Sequence, residues 1–308
     1  MPVTGILSYT LEVPILAQGV KFYGDAGLQL SMSAEDTARF RCAGQSHDCV
    51  TLIGGAPSKR LHHIALRATG IEAIADAVVA NHGRIVATGS HLENKGLWVT
   101  DPHGMLIHLV EGPEEKKLAA AAPFQINGPG NLIRIRRSGV LPRAAYGRVE
   151  PLRLGHVLVF TPDVMKSVSF MSQALGMGLA DRAQDVIAFC CVRLNSDHHV
   201  VAFAKSSGVG FHHASFQVAD PDEVGRGGRD LVTATGRGDW GVGRHTIGSN
   251  FFHYIQDPWG SWFEYYSDMD FIDDYKLWSP KNYDMADSLA NWGPAVPTDF
   301  VHNYEADT

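Results

Sequence analysis

The chain repeats itself, and the repeat limits the possible folds more tightly than any composition figure. The stretch from Ser8 (SYTLEVPILAQGVKFYGDAGL) and the stretch from His156 (HVLVFTPDVMKSVSFMSQALGM) share one plan. Each has an apolar strand, then a proline (Pro14, Pro162), then an amphipathic helix ending near a glycine (Gly27, Gly176). Val20 and Phe22 fall opposite Val168 and Phe170 at an offset of 148. LHHIAL from Leu61 matches FHHASF from Phe211 at 150, and DPHGMLIHLVEG from Asp101 matches DPWGSWFEYYSD from Asp257 at 156. Ordered landmarks with a slowly growing offset indicate a duplicated unit with longer loops in its second copy. Each copy reads as a strand, a helix and several short strands, which is an α+β pattern. The second copy's helix is expected over about 163–175, with Asp163 at its start, where an acidic side chain suits the helix dipole.

The 308 residues give room for two such halves. The expected organisation is a first half over 1–123, a Gly-, Pro- and Arg-rich linker over 124–151, a second half over 152–270, and a tail over 271–308. Trp278, Tyr283, Trp292 and Phe300 give the tail enough aromatic surface to pack on the body or to cover a substrate mouth.

A net charge of −7 argues against nucleic-acid or anionic-membrane partners, which need a positive footprint. The N-terminus has no basic region ahead of an apolar one, and no apolar run approaches a bilayer's thickness. Cys42, Cys49, Cys190 and Cys191 form neither a zinc clip nor a disulfide framework. A cytoplasmic protein with reduced thiols is therefore expected.

Histidine is the unusual count, at 15 residues. Strand side chains repeat on one face every two residues. His156 then shares a face with Leu158 and Phe160, His213 with Ser215 and Gln217, and Glu264 with Trp262 and Tyr266. A carboxylate in an aromatic strand is costly to bury unless it is paired or ligates a metal. Two histidines and a carboxylate are the ligand set of a mononuclear non-haem iron(II) site with open positions. The first copy acts as an internal control. Ser8, His63 and His108 stand opposite His156, His213 and Glu264, so the fold itself does not demand the triad. His198, His212 and His253 fall on the opposite faces and are expected to be structural or to support the ligands. The stretch GRGDWGVGRH lacks the GK[ST] signature of a phosphate loop and is expected to be a flexible loop.

The stretches LGHVLVFTPD, NSDHHVVAF, FHHASFQV and GRHTIGSNFFHYIQDPWGSWFEYYSD, with the repeat itself, make the sequence resemble the vicinal-oxygen-chelate superfamily. Within it, the similarity is to two-domain extradiol catechol dioxygenases of the 2,3-dihydroxybiphenyl and catechol 2,3-dioxygenase type, from Ser8 to about Asp270. The resemblance implies two domains, each a pair of βαβββ modules forming a half-barrel. It implies metal ligands at His156, His213 and Glu264, an acid/base at His199, and hydrogen-bonding residues at His245 and Tyr254. In the first copy, Cys49 stands roughly where His199 does.

The expected activity is meta cleavage of a catecholic substrate by O2 in aromatic degradation, using Fe(II) with Mn(II) as the alternative, in a homo-oligomer. Thr246-Ile247-Gly248 replaces an Asn-Asp pair common in these enzymes, so a polar substrate contact is missing or supplied elsewhere. Phe160, Trp240 and Trp262 suggest an apolar pocket. Arg134, Arg136 and Arg137 are expected to be solvated linker charges rather than partners of a substrate carboxylate. The competing readings are a glyoxalase-like isomerase or lyase, which draws four ligands from paired modules, and a non-catalytic small-molecule binder.

Overall fold

The computed structural model describes residues 3–88, 95–112, 118–119 and 122–306. The strand–helix–strands unit occurs four times, twice in each copy of the sequence repeat. The first unit is β1 (Val3–Val13), α1 (Leu16–Asp25), β2 (Gln29–Ser33), β3 (Thr37–Arg41) and β4 (Val50–Gly54). The second is β5 (Arg60–Ala68), α2 (Ile74–Ala80), β6 (Arg84–Ile85), β7 (Leu97–Thr100) and β8 (Leu106–Glu111). The third is β9 (Arg153–Thr161), α3 (Val164–Gln173), β10 (Gly178–Ala183), β11 (Ile187–Cys191), β12 (Leu194–Asp197) and β13 (Val201–Lys205). The fourth is β14 (Gly210–Gln217), α4 (Pro221–Thr235), β15 (Asp239–Arg244), β16 (Phe251–Gln256) and β17 (Trp262–Ser267). Strands β18 (Phe271–Asp274) and β19 (Lys281–Tyr283) follow.

One sheet has the order β2-β3-β4-β1-β5-β8-β7-β6, and the other β15-β16-β17-β14-β9-β13-β11-β10-β19. In each, an antiparallel central pair (β1·β5, β9·β14) is flanked by parallel partners (β4 and β8, β13 and β17). Parallel neighbours need a crossover, and in every unit the helix lies on that connection. This is the expected pair of half-barrels built from βαβββ modules.

The helices form where the chain caps them. Asp163 accepts a hydrogen bond from the Lys166 amide at the start of α3, so that helix begins one residue after its cap. Asp220 does the same for Glu223 at α4, with Pro221 opening the first turn and Gly236 closing the helix at a φ of +66°. The buried core runs continuously between the two sheets. Phe22 and Tyr23 of α1 stack edge-on against Phe263 of β17, and Tyr265 donates its hydroxyl to the Ala26 carbonyl.

Two expectations need correction. The glycine-rich stretch is not a flexible loop: Asp239–Arg244 is the edge strand β15, paired along β16. Its glycines give no apolar alternation to read, but its backbone pairs regardless. The repeat counterpart of His199 is also shifted. Val201 pairs with Val157 as Val50 pairs with Tyr9, which sets Cys49 against Val200 and Asp48 against His199.

After residue 270 the chain forms a small two-stranded sheet of its own and then joins the second sheet. Strand β18 pairs with β12, and β19 extends the sheet beside β10. Trp278 donates its indole N–H to the Ala180 carbonyl, and Phe300 is buried, whereas Trp292 stays half-exposed. Among described residues, 124–151 form no strand and no α-helix.

Candidate metal centre

The two copies of the repeat keep the same registers around three positions. His156 pairs with Ser215 as Ser8 pairs with Ala65, His213 with Leu158 as His63 with Thr10, and Glu264 with Ser215 as His108 with Ala65. His156, His213 and Glu264 therefore project from β9, β14 and β17 on one face of three adjacent strands, and all three are buried.

Their ligating atoms converge. His156 Nε2 lies 3.2 Å from His213 Nε2 and 3.3 Å from Glu264 Oε2, and His213 Nε2 lies 3.6 Å from the same oxygen. Metal–ligand bonds of about 2.1 Å place neighbouring ligands roughly 3 Å apart, so the spacing suits one divalent ion. Glu264 Oε2 is buried without a hydrogen-bond partner among the described residues. Burial opposes ionisation of Glu264, but the imidazoles of His156, His245 and His213 gathered around the carboxylate overcome it. They hold the carboxyl well below the usual range. A buried carboxylate oxygen facing two imidazole nitrogens with no proton donor of its own is a cradle for a cation.

Among the described residues, no fourth ligand joins this group. In β14, Ser215, two residues beyond His213, pairs with Glu264. The equivalent residue of β9, Leu158, two beyond His156, pairs with Ala202. Alanine has no ligating atom, and His156, His213 and Glu264 are the metal-competent group found among the described residues.

The tautomers follow from acceptors that carry no proton. His212 Nε2 donates to the Phe300 carbonyl at 2.6 Å, so in the neutral ring its Nδ1 is a lone pair. That Nδ1 lies 2.6 Å from His213 Nδ1, which must then hold the proton and leave Nε2 bare for a metal. Strict alternation had put His212 on the far face. A register shift between Phe211 and His213 turns the two rings toward one another. Burial, then the neighbouring imidazole of His212, keeps His213 neutral well below the usual histidine range.

His199 lies between β12 and β13 with its ring 4.1 Å from that of His156. Burial, then the adjacent His156 and His198, push it well below the ordinary histidine range. His245 Nδ1 hydrogen-bonds the Leu289 carbonyl, and its Nε2 meets the Tyr254 hydroxyl at 3.0 Å. A carbonyl only accepts, so in neutral His245 the proton is on Nδ1, and Tyr254 donates to Nε2. Burial, then the Glu264 charge, raise the Tyr254 hydroxyl well above its ordinary value, so it stays protonated. All six residues singled out in the sequence thus fall in one cluster.

The sequence did not single out Asn250. It is buried beside the cluster and donates its amide to Glu264 Oε1 at 3.2 Å. It follows the segment that replaces the Asn-Asp pair, and the chain supplies its buried amide from there.

A cavity opens above the cluster, lined on its polar side by His156, His199, His212, His213, His245, Asn250, Tyr254 and Ser288. Its apolar walls are Leu158, Ile187, Phe189, Ala204, Ile247, Leu289, Phe300 and Val301. The tail therefore contributes wall residues directly. Phe160, Trp240 and Trp262 are not in this lining. Phe160 packs on His212 and the two tryptophans on Phe300, so they support the wall from behind. Among the described residues, no lysine or arginine lines the cavity, and Arg134 and Arg137 line a separate surface groove with Asp222.

Comparison with known proteins gives a consistent picture. Residues 153–265 match the Glyoxalase/Bleomycin resistance protein/Dioxygenase superfamily. The chain is 37% identical to Metapyrocatechase 2 of Cupriavidus necator over 305 residues, 97% of this chain and 91% of that protein. Its fold is similar to that of the Mn(II)-bound glyoxalase from Novosphingobium aromaticivorans, with a TM-score of 0.76, 22% identity, and coverage of 97% and 94% of the two chains. It is similar too to that of BphC, a halotolerant catechol dioxygenase, with a TM-score of 0.74, 22% identity and 98% of each chain covered.

Proposed function

Given that the chain belongs to the extradiol catechol dioxygenases of the Glyoxalase/Bleomycin resistance protein/Dioxygenase superfamily, we propose that it opens a catechol ring beside the diol, using Fe(II) held by His156, His213 and Glu264. Mn(II) would fit the same ligands. The observation that carries this reading is the three-ligand set: Glu264 Oε2 without a hydrogen-bond partner among the described residues, and Ala202 where a four-ligand site would need a donor. Three protein ligands leave room for a bidentate substrate and for O2, whereas the isomerase reading requires a fourth.

When bound, the metal supplies the electronic route between a catecholate and O2 that spin otherwise blocks. The remaining work belongs to the chain. His199, neutral and buried at the cavity, takes a proton from the diol and later returns one to a product oxygen. Tyr254 is a hydrogen-bond donor tied to His245, and the pair stabilises charge developing on oxygen. The apolar walls exclude water and fix the ring. The carbon–carbon bond adjacent to the diol breaks and both atoms of O2 enter the product, a muconic-semialdehyde-type acid or its ketone analogue. The absence of a lysine or arginine from the lining among the described residues favours catechols with neutral, apolar substituents.

The test is oxygen uptake after anaerobic loading with Fe(II), across catechol, alkyl- and aryl-substituted catechols and dihydroxybenzoates. Uptake with a yellow ring-fission product, abolished in Glu264→Ala, is expected. One bound iron per chain with no uptake on any diol would overturn the catechol reading.

A further inference from the structure

Asp181 lies in β10 and lines no part of the cavity, yet it is buried. Its Oδ2 accepts from His198 Nε2 at 2.9 Å, and its Oδ1 accepts the backbone N–H of Lys281 at 2.6 Å, where β19 begins. Beyond His198, the Nδ1 atoms of His198 and His199 lie 3.1 Å apart. Trp278 and Phe189 pack against the His198 ring, at centroid distances of 5.6 and 5.9 Å. All four members of the chain Lys281, Asp181, His198 and His199 are thus tied together in sequence.

The proton positions follow from the acceptor at the end. A carboxylate only accepts, so a neutral His198 holds its proton on Nε2 and offers a lone pair at Nδ1. The proton that fills the 3.1 Å gap is then on His199 Nδ1. His199 Nε2 is left bare, and that ring lines the cavity. When His199 takes a proton from the diol, its Nδ1–H stays bonded to His198 and no proton reaches Asp181. The carboxylate stabilises the imidazolium through the intervening ring.

We propose that Asp181 and His198 are positioning residues that fix His199 as the tautomer able to take a proton from the substrate, with the tail strand β19 holding Asp181 in place. The proposal rests on the extradiol reading for what His199 does, but not for how its proton is placed. Asp181→Asn can turn an N–H on His198 and reverse both tautomers. His198→Phe removes the acceptor, and His198→Asn restores an amide oxygen near where Nδ1 stood.

Three readouts test this on the full chain: turnover of the Fe(II)-loaded enzyme, metal content, and the tautomer of His199 from 15N-histidine spectra of the Zn(II)-loaded protein. In Asp181→Asn and His198→Phe, kcat is expected to fall about 10–100-fold, the range typical of outer-shell partners. KM and metal content should stay near wild type, and His198→Asn should regain about ten-fold. His199 should report Nδ1–H in the wild type and Nε2–H in Asp181→Asn. If Asp181→Asn does not fold, the His198 pair decides. A kcat in His198→Phe within about two-fold of wild type, or an unchanged tautomer in folded Asp181→Asn, would overturn the proposal. A wild type that binds metal but cleaves no diol would instead sink the extradiol reading, with the tautomer still judging the relay.

Discussion

His212 meets His213 edge to face, with ring centroids 4.9 Å apart at 74° and Nδ1 atoms 2.6 Å apart. In the other half, His62 meets His63 at 4.9 Å and 74°, with Nδ1 atoms 2.7 Å apart. Both doublets sit beside a shift of strand register. The paired-ring geometry is therefore a property of the duplicated fold, and only the second copy couples it to a carboxylate and a second ligand.

If His212 orients His213, His212→Leu should weaken metal binding by about 10–100-fold while the protein stays folded. Titration against a chelating dye would read this directly. An affinity equal to wild type would mean that the Phe300 carbonyl plays no part in holding the ligand.

Substrate charge gives a second expectation. A carboxylate moved into a cavity without a cation costs several kcal/mol unless it is paired. Dihydroxybenzoates should therefore show kcat/KM at least about 100-fold below that of methyl- or phenyl-catechols. Equal values would require a cation to enter the cavity from elsewhere.

The first half carries a pH signature of its own. Burial, then the adjacent His62 and His108, lower His63 to about 3. The ordinary value, near 6.5, holds in the unfolded chain, so the unfolded state binds the extra proton first. Stability contributed by neutral His63 is complete above about pH 6.5, declines as pH falls below it, and is gone below about 3. Denaturant midpoints of His63→Phe should fall less steeply than wild type across that window. Parallel profiles would contradict the buried neutral state.

Gly228 tests how α4 packs. Alanine normally favours a helix interior over glycine by about 1 kcal/mol. Here a Cβ at Gly228 would stand 1.9 Å from His253 Nδ1. His253 is itself held by Asp239 of β15 at 2.8 Å, so the ring cannot simply swing away. Gly228→Ala should therefore destabilise by about 1–3 kcal/mol, the usual cost of overpacking. A stabilised variant in thermal melts would show that the ring yields.

What could be read from the sequence, and what could not, divides along physical lines. The three ligands were legible because alternation runs unbroken from His156 to Phe160 and along β17 through Glu264, and because the vacant copy supplied a comparison. The facing of His212 was not, because one register shift reverses alternation and leaves no mark in residue type. Strand β15 was hidden by its glycines, whose pairing is carried by backbone alone. Trp240 and Trp262 looked like pocket walls because bulk and apolarity do not distinguish a wall from its backing. Asn250 and Asp181 were missed because each acts through another side chain, across 14 and 17 residues of sequence.

The carbonyls of Leu289 and Phe300 hold two of the site's histidine systems in place. A peptide oxygen is present whatever side chain its residue bears. Substituting residues 289 and 300 one at a time would report on packing and leave these two acceptors standing. Divergent relatives could carry unrelated letters in this segment and still preserve the same protonation pattern. The path of the main chain, rather than the spelling of the tail, is what selection would have to conserve.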